Sequence, residues 1–182
     1  MISEEQNIDK IIIGCKAGNR KAQEQLYRSY YMVMINLCLR YTKTETEAVE
    51  ALNTGFYKIY KNIHRYVPSK AALYTWIRAI IINSCLDLIK IKQNQPGVSE
   101  LGQADSVHVP PDVIIKMSAA EILQLVRQLP PATQAVFNLY VMEGYNHAEI
   151  AAMTGTSEGT SKWHLSEARK KLQKMINEQA DK

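Results

Sequence analysis

The chain has 182 residues, of which 46% are hydrophobic and 22% are charged, with a formal net charge of +4. This composition is typical of a globular protein with a packed core and excludes disordered and fibrous chains. Because only eight glycines and six prolines are present, long helices are expected. No apolar run approaches the roughly 18 residues that a membrane span needs, and the acidic N-terminal segment does not resemble a signal peptide. We therefore expect a cytoplasmic protein with no membrane insertion.

The cysteines and histidines give no support for a metal site. Cys15, Cys38 and Cys85 are odd in number and widely spaced, which argues against a disulfide framework and against zinc. They are expected to be small, buried apolar residues. The four histidines are not paired at helical spacing with one another or with cysteine, and no common nucleotide-binding or hydrolase motif occurs. We expect no metal, no cofactor and no catalytic residue.

Charge is distributed unevenly along the first half of the chain. The stretch from Gly55 to Lys92 has a net charge of +6, which exceeds that of the whole chain. The preceding stretch from Thr44 to Thr54 contains three glutamates and no cation. This change from acidic to basic predicts neighbouring surfaces for two different partners.

Helical spacing predicts four helices in the first 93 residues. Apolar residues predict a short first helix that ends at Gly18, and a second helix is predicted over Arg20–Tyr41. Thr44 and Glu47 have the spacing of a capping box that starts a third helix, and a fourth runs from Leu73 to about Gln93. The predicted buried stripe of the third helix contains Ala48, Leu52, Phe56, Ile59 and Ile63.

A linker separates this region from a second helical region. From Asn94 to Asp112 the helical periodicity disappears and proline, glycine, serine and glutamine become frequent. Beyond it, Pro130 ends one helix and Pro131 can open the next, because the first helical position needs no backbone donor. The predicted fold is all-α, with helical domains at residues 1–93 and 113–182 joined by a flexible linker at 94–112.

The second predicted domain contains a helix-turn-helix. Between His147 and Leu172, a short helix capped by Asn146 is followed by a turn at Gly155 and a longer helix capped by Ser157. Lysines suit phosphates, and a glycine allows close backbone approach. A helical hairpin with no nucleic-acid role, and packing of the tryptophan within the protein, remain alternatives. The predicted outward face of the last helix contains Gly159, Lys162, Trp163, Ser166, Glu167, Lys170 and Lys174.

Aromatic residues are interleaved with the cations of the basic stretch, a combination that suits unpaired nucleic acid. Tyr66 lies in the predicted loop and is the better candidate for stacking on a base. Trp76 shares a helix face with Leu73 and Ile77, so we expect it in the core. Tyr57, Tyr60 and Tyr74 are also interleaved with these cations.

Several segments together carry a family resemblance. They are Glu50-Asn53-Thr54-Phe56, Leu73–Ile77 with Asn83 and Asp87, Leu129-Pro130, Val136–Leu139, Glu143–Tyr145, Glu149–Ala151, Ser157–Thr160 and Arg169–Leu172. With them the chain resembles bacterial RNA polymerase sigma factors of the small extracytoplasmic-function type. Asn53 and Thr54 stand where the family has Gln-Glu, and Trp163 and Glu167 stand where it commonly has a small polar residue and arginine.

The resemblance implies a non-enzymatic protein that binds core RNA polymerase and promoter DNA. Family members are commonly held inactive by an anti-sigma factor, a partner that the resemblance leaves open for this chain. The implied polymerase contacts are Glu50, Asn53 and Thr54. The implied minus-10 contacts are Arg65, Tyr66, Lys70, Tyr74, Arg78 and Asn83. The implied minus-35 contacts are Ser157, Gly159, Thr160, Lys162, Trp163, Ser166, Arg169 and Lys170.

Two other functions remain open at this point. One is a helix-turn-helix regulator whose first domain senses a signal or dimerises, and the other is a helical interaction scaffold. Copurification with core polymerase would distinguish a sigma factor from these two alternatives. Salt-dependent duplex binding would distinguish the regulator from the scaffold.

Overall fold

The computed structural model describes residues 4–93 and 118–180, with side chains described for 8–91, 118 and 120–178. Within these ranges the chain is helical with short turns, and it contains no strand. The predicted linker at 94–112 lies outside the described residues. The all-α prediction is confirmed.

Four α-helices occupy the first described range. They are α1 (Glu4–Lys16), α2 (Arg20–Tyr41), α3 (Glu45–Asn62) and α4 (Leu73–Gln93), with a 3-10 turn at Ile63–Arg65 after α3. The predicted bounds of the second and fourth helices are confirmed.

Local signals explain where these helices begin and end. Gly18 has a φ of 72° just beyond the end of α1, a conformation that favours glycine. The side chain of Asn19 then accepts hydrogen bonds from the backbone N–H groups of Lys21 and Ala22, at 2.9 and 3.2 Å. Thr44 accepts from the backbone N–H of Glu47 at 3.2 Å, so the predicted start of α3 is confirmed.

The buried stripe of α3 packs where the sequence pattern predicts. All five residues of the predicted stripe are buried. Gly55 allows α3 and α4 to approach closely, because a Cβ atom built at this position would lie 2.4 Å from the Cδ1 of Ile81. All three cysteines are buried, as predicted.

The second described range contains four further α-helices. They are α5 (Ala119–Gln128), α6 (Pro131–Phe137), α7 (His147–Thr154) and α8 (Glu158–Ala180), and a π-helical segment, Asn138–Met142, continues α6. Leu125, Val126 and Leu129 pack with Ala168, Leu172 and Ile176 of α8 in one apolar core.

Capping fixes the ends of these helices. A reciprocal capping box joins Ser118 and Glu121 at the start of α5, and the bonds to Ser118 lower the pKa of the Glu121 carboxyl. Pro131 stands at the start of α6, as predicted. A second reciprocal box, between Asn146 and Glu149, starts α7 and confirms that predicted cap.

The chain divides into two compact units. The first contains residues up to 39 and 44–85, and the second contains residues 40–43 and those from 86 onward. The predicted domain bounds at residues 93, 94, 112 and 113 stay predictions.

Candidate nucleic-acid and polymerase interfaces

The turn between α7 and α8 has the geometry of a helix-turn-helix. Gly155 has a φ of 74°, and its N–H donates to the carbonyl of Ala151 at 2.9 Å, which ends α7. Ser157 starts α8, because its Oγ accepts from the N–H of Thr160 at 3.0 Å and lies 2.9 Å from the Thr160 hydroxyl. The predicted turn and cap are confirmed, and both hydroxyls already have a partner within the protein.

α8 buries one face and leaves a polar face exposed. Its buried side includes Leu165, Ala168 and Leu172. Six members of the predicted minus-35 set, Ser157, Gly159, Lys162, Trp163, Ser166 and Arg169, are exposed, while Thr160 and Lys170 are half-buried. The predicted exposure of Gly159, Lys162, Trp163 and Ser166 is confirmed.

Glu167 is a correction to the predicted outward face. Its side chain is only 12% exposed, with one carboxylate oxygen 3.8 Å from the Nζ of Lys171. The other oxygen, Oε2, is buried and has no hydrogen-bond partner among the described residues. The carboxylate thus lies along the helix towards its neighbours, so the prediction that it faces away from the protein is wrong.

Trp163 is supported by a neighbouring histidine. Trp163 is 38% exposed, and its ring meets the His164 ring edge-on, with 4.8 Å between the centroids. His164 Nδ1 lies 3.0 Å from the hydroxyl of Thr133 in α6. Burial lowers the pKa of His164, and the charge of Glu167 opposes this shift. The indole therefore offers part of its surface to a partner from a fixed position.

A second histidine joins α7 to α8. His147 Nδ1 lies 2.9 Å from the hydroxyl of Ser161, which is fully buried, and the His147 ring stacks on Tyr140 with 4.7 Å between centroids. Thr133, His147 and Ser161 are not among the predicted site residues. In the sequence they can be recognised only as polar residues on the buried side of helices. Periodicity alone does not show whether such a residue supports a site.

The predicted polymerase contacts share one face of α3. Glu50, Asn53 and Thr54 are all exposed, and their spacing places them within about 100° of arc. Tyr27 of α2 donates its hydroxyl to Oδ1 of Asn53 at 3.1 Å. Since the carbonyl end of this amide accepts from Tyr27, its N–H groups are left to meet a partner. Tyr27 is a site residue that is not among the predicted contacts.

An aromatic cluster supports this face from below. Phe56 is 2% exposed, and its ring lies 4.6 Å from that of Tyr27 and 6.0 Å from that of Tyr60. The prediction that Phe56 belongs to the core is confirmed. By contrast, the neighbouring Tyr57 is 61% exposed, with the Nζ of Lys61 5.3 Å from its ring centroid.

Tyr66 is a second correction. It is only 6% exposed, its ring lies 5.4 Å from that of Trp76, and its hydroxyl donates to the carbonyl of Ala71 at 3.1 Å. A ring buried in this way cannot stack on a base, so the prediction of an exposed stacking ring at Tyr66 is wrong. Trp76 is half-buried, in agreement with its predicted packing against the protein.

The rest of the predicted minus-10 set divides into two groups. Arg65 and Lys70 are exposed before α4, Tyr74 in its first turn is 45% exposed, and Arg78, one turn later, is half-buried. Asn83 is also exposed, but it follows Tyr74 by nine residues, which is two and a half turns at about 3.6 residues per turn. The structure therefore places Asn83 on the opposite side of α4 from Tyr74.

Within the described residues, no cluster of three His, Cys, Asp or Glu side chains could hold a metal ion. The same part of the chain contains no helix with the length and hydropathy of a membrane span.

Family models match both units of the chain. The model described as "Sigma-70 region 2" matches residues 26–95, and the model described as "Sigma-70, region 4" matches residues 119–172. Together the two matches cover more than half of the chain, and they include all of the exposed residues described above.

Curated relatives match over most of their length. The chain is 26% identical to the ECF RNA polymerase sigma factor SigM of Mycobacterium tuberculosis, over 88% of this chain and 80% of that one. It is 22% identical to the RNA polymerase sigma-H factor of Pseudomonas aeruginosa, over 97% and 96%. It is 20% identical to the ECF RNA polymerase sigma-E factor of Escherichia coli, over 94% and 96%.

Two solved structures are also similar over most of the chain. CnrH in complex with the cytosolic domain of CnrY matches at 17% identity and a TM-score of 0.49, over 92% of this chain and 95% of that one. The RsbN–BldN complex matches at 20% identity and a TM-score of 0.40, over 90% and 98%.

The regulator and scaffold interpretations are not favoured, because sigma-70 models match both units and the curated relatives extend across them. The chain belongs to the sigma-70 family, and it is a sigma factor of the extracytoplasmic-function type, which directs core RNA polymerase to promoters.

Proposed function

We propose that this sigma factor divides promoter recognition between its two units. The first unit binds polymerase through α3 and unpaired minus-10 bases through the loop before α4. The second unit binds the minus-35 duplex through α8. The observation that carries this proposal is that α3 and α8 each bury an apolar face and leave predicted contact residues exposed.

In the second unit, the N-terminal half of α8 supplies the duplex contacts. Gly159 has only the Ser157 hydroxyl near the position of a Cβ, at 3.6 Å, so DNA can approach the backbone closely here. Lys162 and Arg169 neutralise phosphates, and Ser166 donates to phosphate or base. Trp163 contributes shape and apolar contact, including with a thymine methyl group.

In the first unit, Arg65 and Lys70 follow the backbone of the unpaired strand, and Tyr74 takes the stacking role that Tyr66 cannot fill. Arg78 lies on the same side of α4 as Tyr74 and extends this basic surface. Asn83 belongs to a different side of α4, and we assign it to DNA outside the unpaired stretch.

On α3, the N–H groups of Asn53 face a carbonyl or carboxylate acceptor on polymerase, since Tyr27 occupies the other end of the amide. Glu50 adds a negative charge that attracts a basic surface on that partner. The chain acts in the cytoplasm as a recognition subunit rather than as a catalyst. An anti-sigma partner stays a prediction of the sequence resemblance.

Two charge reversals on α3 test the polymerase contact. Glu50→Lys should weaken binding to core enzyme about tenfold or more, because it places a positive charge against the proposed basic surface of the partner. Glu45→Lys is the matched control, since Glu45 is an exposed acid of the same helix on another side. Binding is measured by titration of core enzyme, and transcripts are mapped from a genomic promoter library. The proposal would be contradicted if the parent protein formed no complex with core enzyme and gave no defined transcripts.

A further inference from the structure

The loop between the 3-10 turn and α4 is exposed almost throughout, with one buried member. Val67 is 40% exposed, and the following residues through Lys70 are exposed as well. Tyr66 opens this loop and is only 6% exposed. A solvated loop of this kind has many conformations of similar energy unless contacts select one of them.

Two hydrogen bonds close the loop upon itself. The N–H of Lys70 donates to the carbonyl of Val67 at 3.0 Å, which forms a tight turn at its tip. The Tyr66 hydroxyl donates to the carbonyl of Ala71 at 3.1 Å, so one side chain joins the first residue of the loop to its end. Trp76 lies against the ring of Tyr66 and holds it in place.

The hydrogen bond from Tyr66 to Ala71 persists at physiological pH. Burial raises the pKa of Tyr66, and the charge of Asp9 contributes to this rise. The hydroxyl therefore keeps its proton and remains a donor. A phenylalanine would retain the ring packing and lose the bond to Ala71 alone.

We infer that Tyr66 is a positioning residue whose hydroxyl holds the loop at residues 66–72 in the shape that receives an unpaired minus-10 base. This inference rests on the proposed function of the first unit. It assigns base preference to the closed loop, whereas Arg65 and Lys70 contribute affinity that does not depend on sequence. Tyr66 itself touches no base.

Tyr66→Phe in the full chain tests the inference, with Tyr60→Phe as the matched control. Tyr60 also donates its hydroxyl to a backbone carbonyl, that of Gln23 at 2.8 Å, but this bond lies away from the loop. Reconstituted holoenzymes are selected against a library of single-stranded non-template DNA with a randomised minus-10 segment. Amide hydrogen exchange of Val67–Ala72 is measured on the free proteins.

We expect Tyr66→Phe to lose about three- to tenfold in preference for one base of the segment, the loss that one hydrogen bond can supply. Its loop amides should exchange faster, while Tyr60→Phe should keep the parental preference and loop exchange. Parental base preference in Tyr66→Phe would overturn the inference, and so would an equal loss in both variants. A parent holoenzyme that binds the strand without any preference would instead contradict the proposed function of the first unit, and the inference with it.

Discussion

The two candidate DNA surfaces are constructed differently. In the second unit, α8 supplies the exposed contacts from a single helix, whose buried side is fixed by Leu165, Ala168 and Leu172. In the first unit, the contacts come from the 3-10 turn, the loop and the first turn of α4. One helix suits the regular groove of a duplex, whereas unpaired bases need contacts from several directions. The second surface therefore depends on helix register, and the first depends on loop conformation.

The largest expected effect comes from the core of the first unit, beneath the predicted polymerase-binding face of α3. Phe56→Ala should destabilise the protein by about 3 to 5 kcal/mol, because it removes a buried ring that contacts Tyr27 and Tyr60. Chemical unfolding followed by circular dichroism measures this effect. Tyr57→Ala is the matched control, since its ring is 61% exposed, and it should change stability by about 0.5 kcal/mol or less. Equal losses in both variants would show that α3 is oriented differently.

Substitutions at two neighbouring residues of α8 should distinguish the contribution of charge to minus-35 binding from the contribution of shape. Lys162→Ala should weaken binding to all minus-35 variants alike and reduce the salt slope by about 1, because it removes one phosphate contact. Trp163→Ala should leave the slope unchanged and alter which variants are preferred, by up to about 1 to 3 kcal/mol, the typical cost of one mismatched base pair in a site. Each holoenzyme is titrated against a minus-35 library at several salt concentrations.

Lys16→Ala in α1, an exposed lysine of the first unit, is the control for loss of one positive charge and should leave the minus-35 slope at its parental value. If Trp163→Ala keeps the parental preference and lowers thermal stability, the indole packs within the protein and does not read the promoter.

A smaller effect concerns the orientation of Asn53. Tyr27→Phe removes the hydroxyl that donates to Asn53, and it should weaken core binding by about 0.5 to 1.5 kcal/mol, the net contribution of one hydrogen bond. In the Asn53→Ala background the same change should have little effect on binding. A double-mutant cycle on core affinity measures this coupling. Additive losses would mean that Tyr27 acts on polymerase without Asn53.

The smallest expected effect is a pH dependence from His164. Because burial lowers its pKa below the ordinary value of 6.5, the unfolded chain binds the proton more readily. The stability that neutral His164 contributes should therefore be fully present above that value and decrease as the pH falls below it. Thermal unfolding of the parent and of His164→Gln, compared at about pH 7.5 and 5.5, should show a larger decrease in the parent. An equal decrease in both would assign the effect to another group.

Helical periodicity was sufficient for much of the fold. The bounds of α2 and α4, the buried stripe of α3 and the caps at Thr44 and Asn146 follow from residues close together in sequence. The same reasoning identified the exposure of Lys162 and Trp163, because the buried face of an amphipathic helix fixes which residues face outward.

The errors have a common physical cause. Tyr66 was expected to be exposed because it lies in a loop, but its ring packs on Trp76 and its hydroxyl bonds to Ala71. Glu167 lies on the outward side by spacing, but its carboxylate extends towards Lys171. In each case the orientation of a long side chain is decided by contacts that helical periodicity does not contain.

Site-specific crosslinking tests the division of promoter recognition most directly. A photoreactive phenylalanine analogue is placed at position 74 or 163, and each holoenzyme is irradiated on an open promoter complex with both DNA strands labelled. We expect the probe at position 74 to crosslink to the unpaired non-template strand near minus 10. We expect the probe at position 163 to crosslink to duplex DNA near minus 35. Crosslinks from both positions to the same promoter element would show that the two units do not divide promoter recognition in this way.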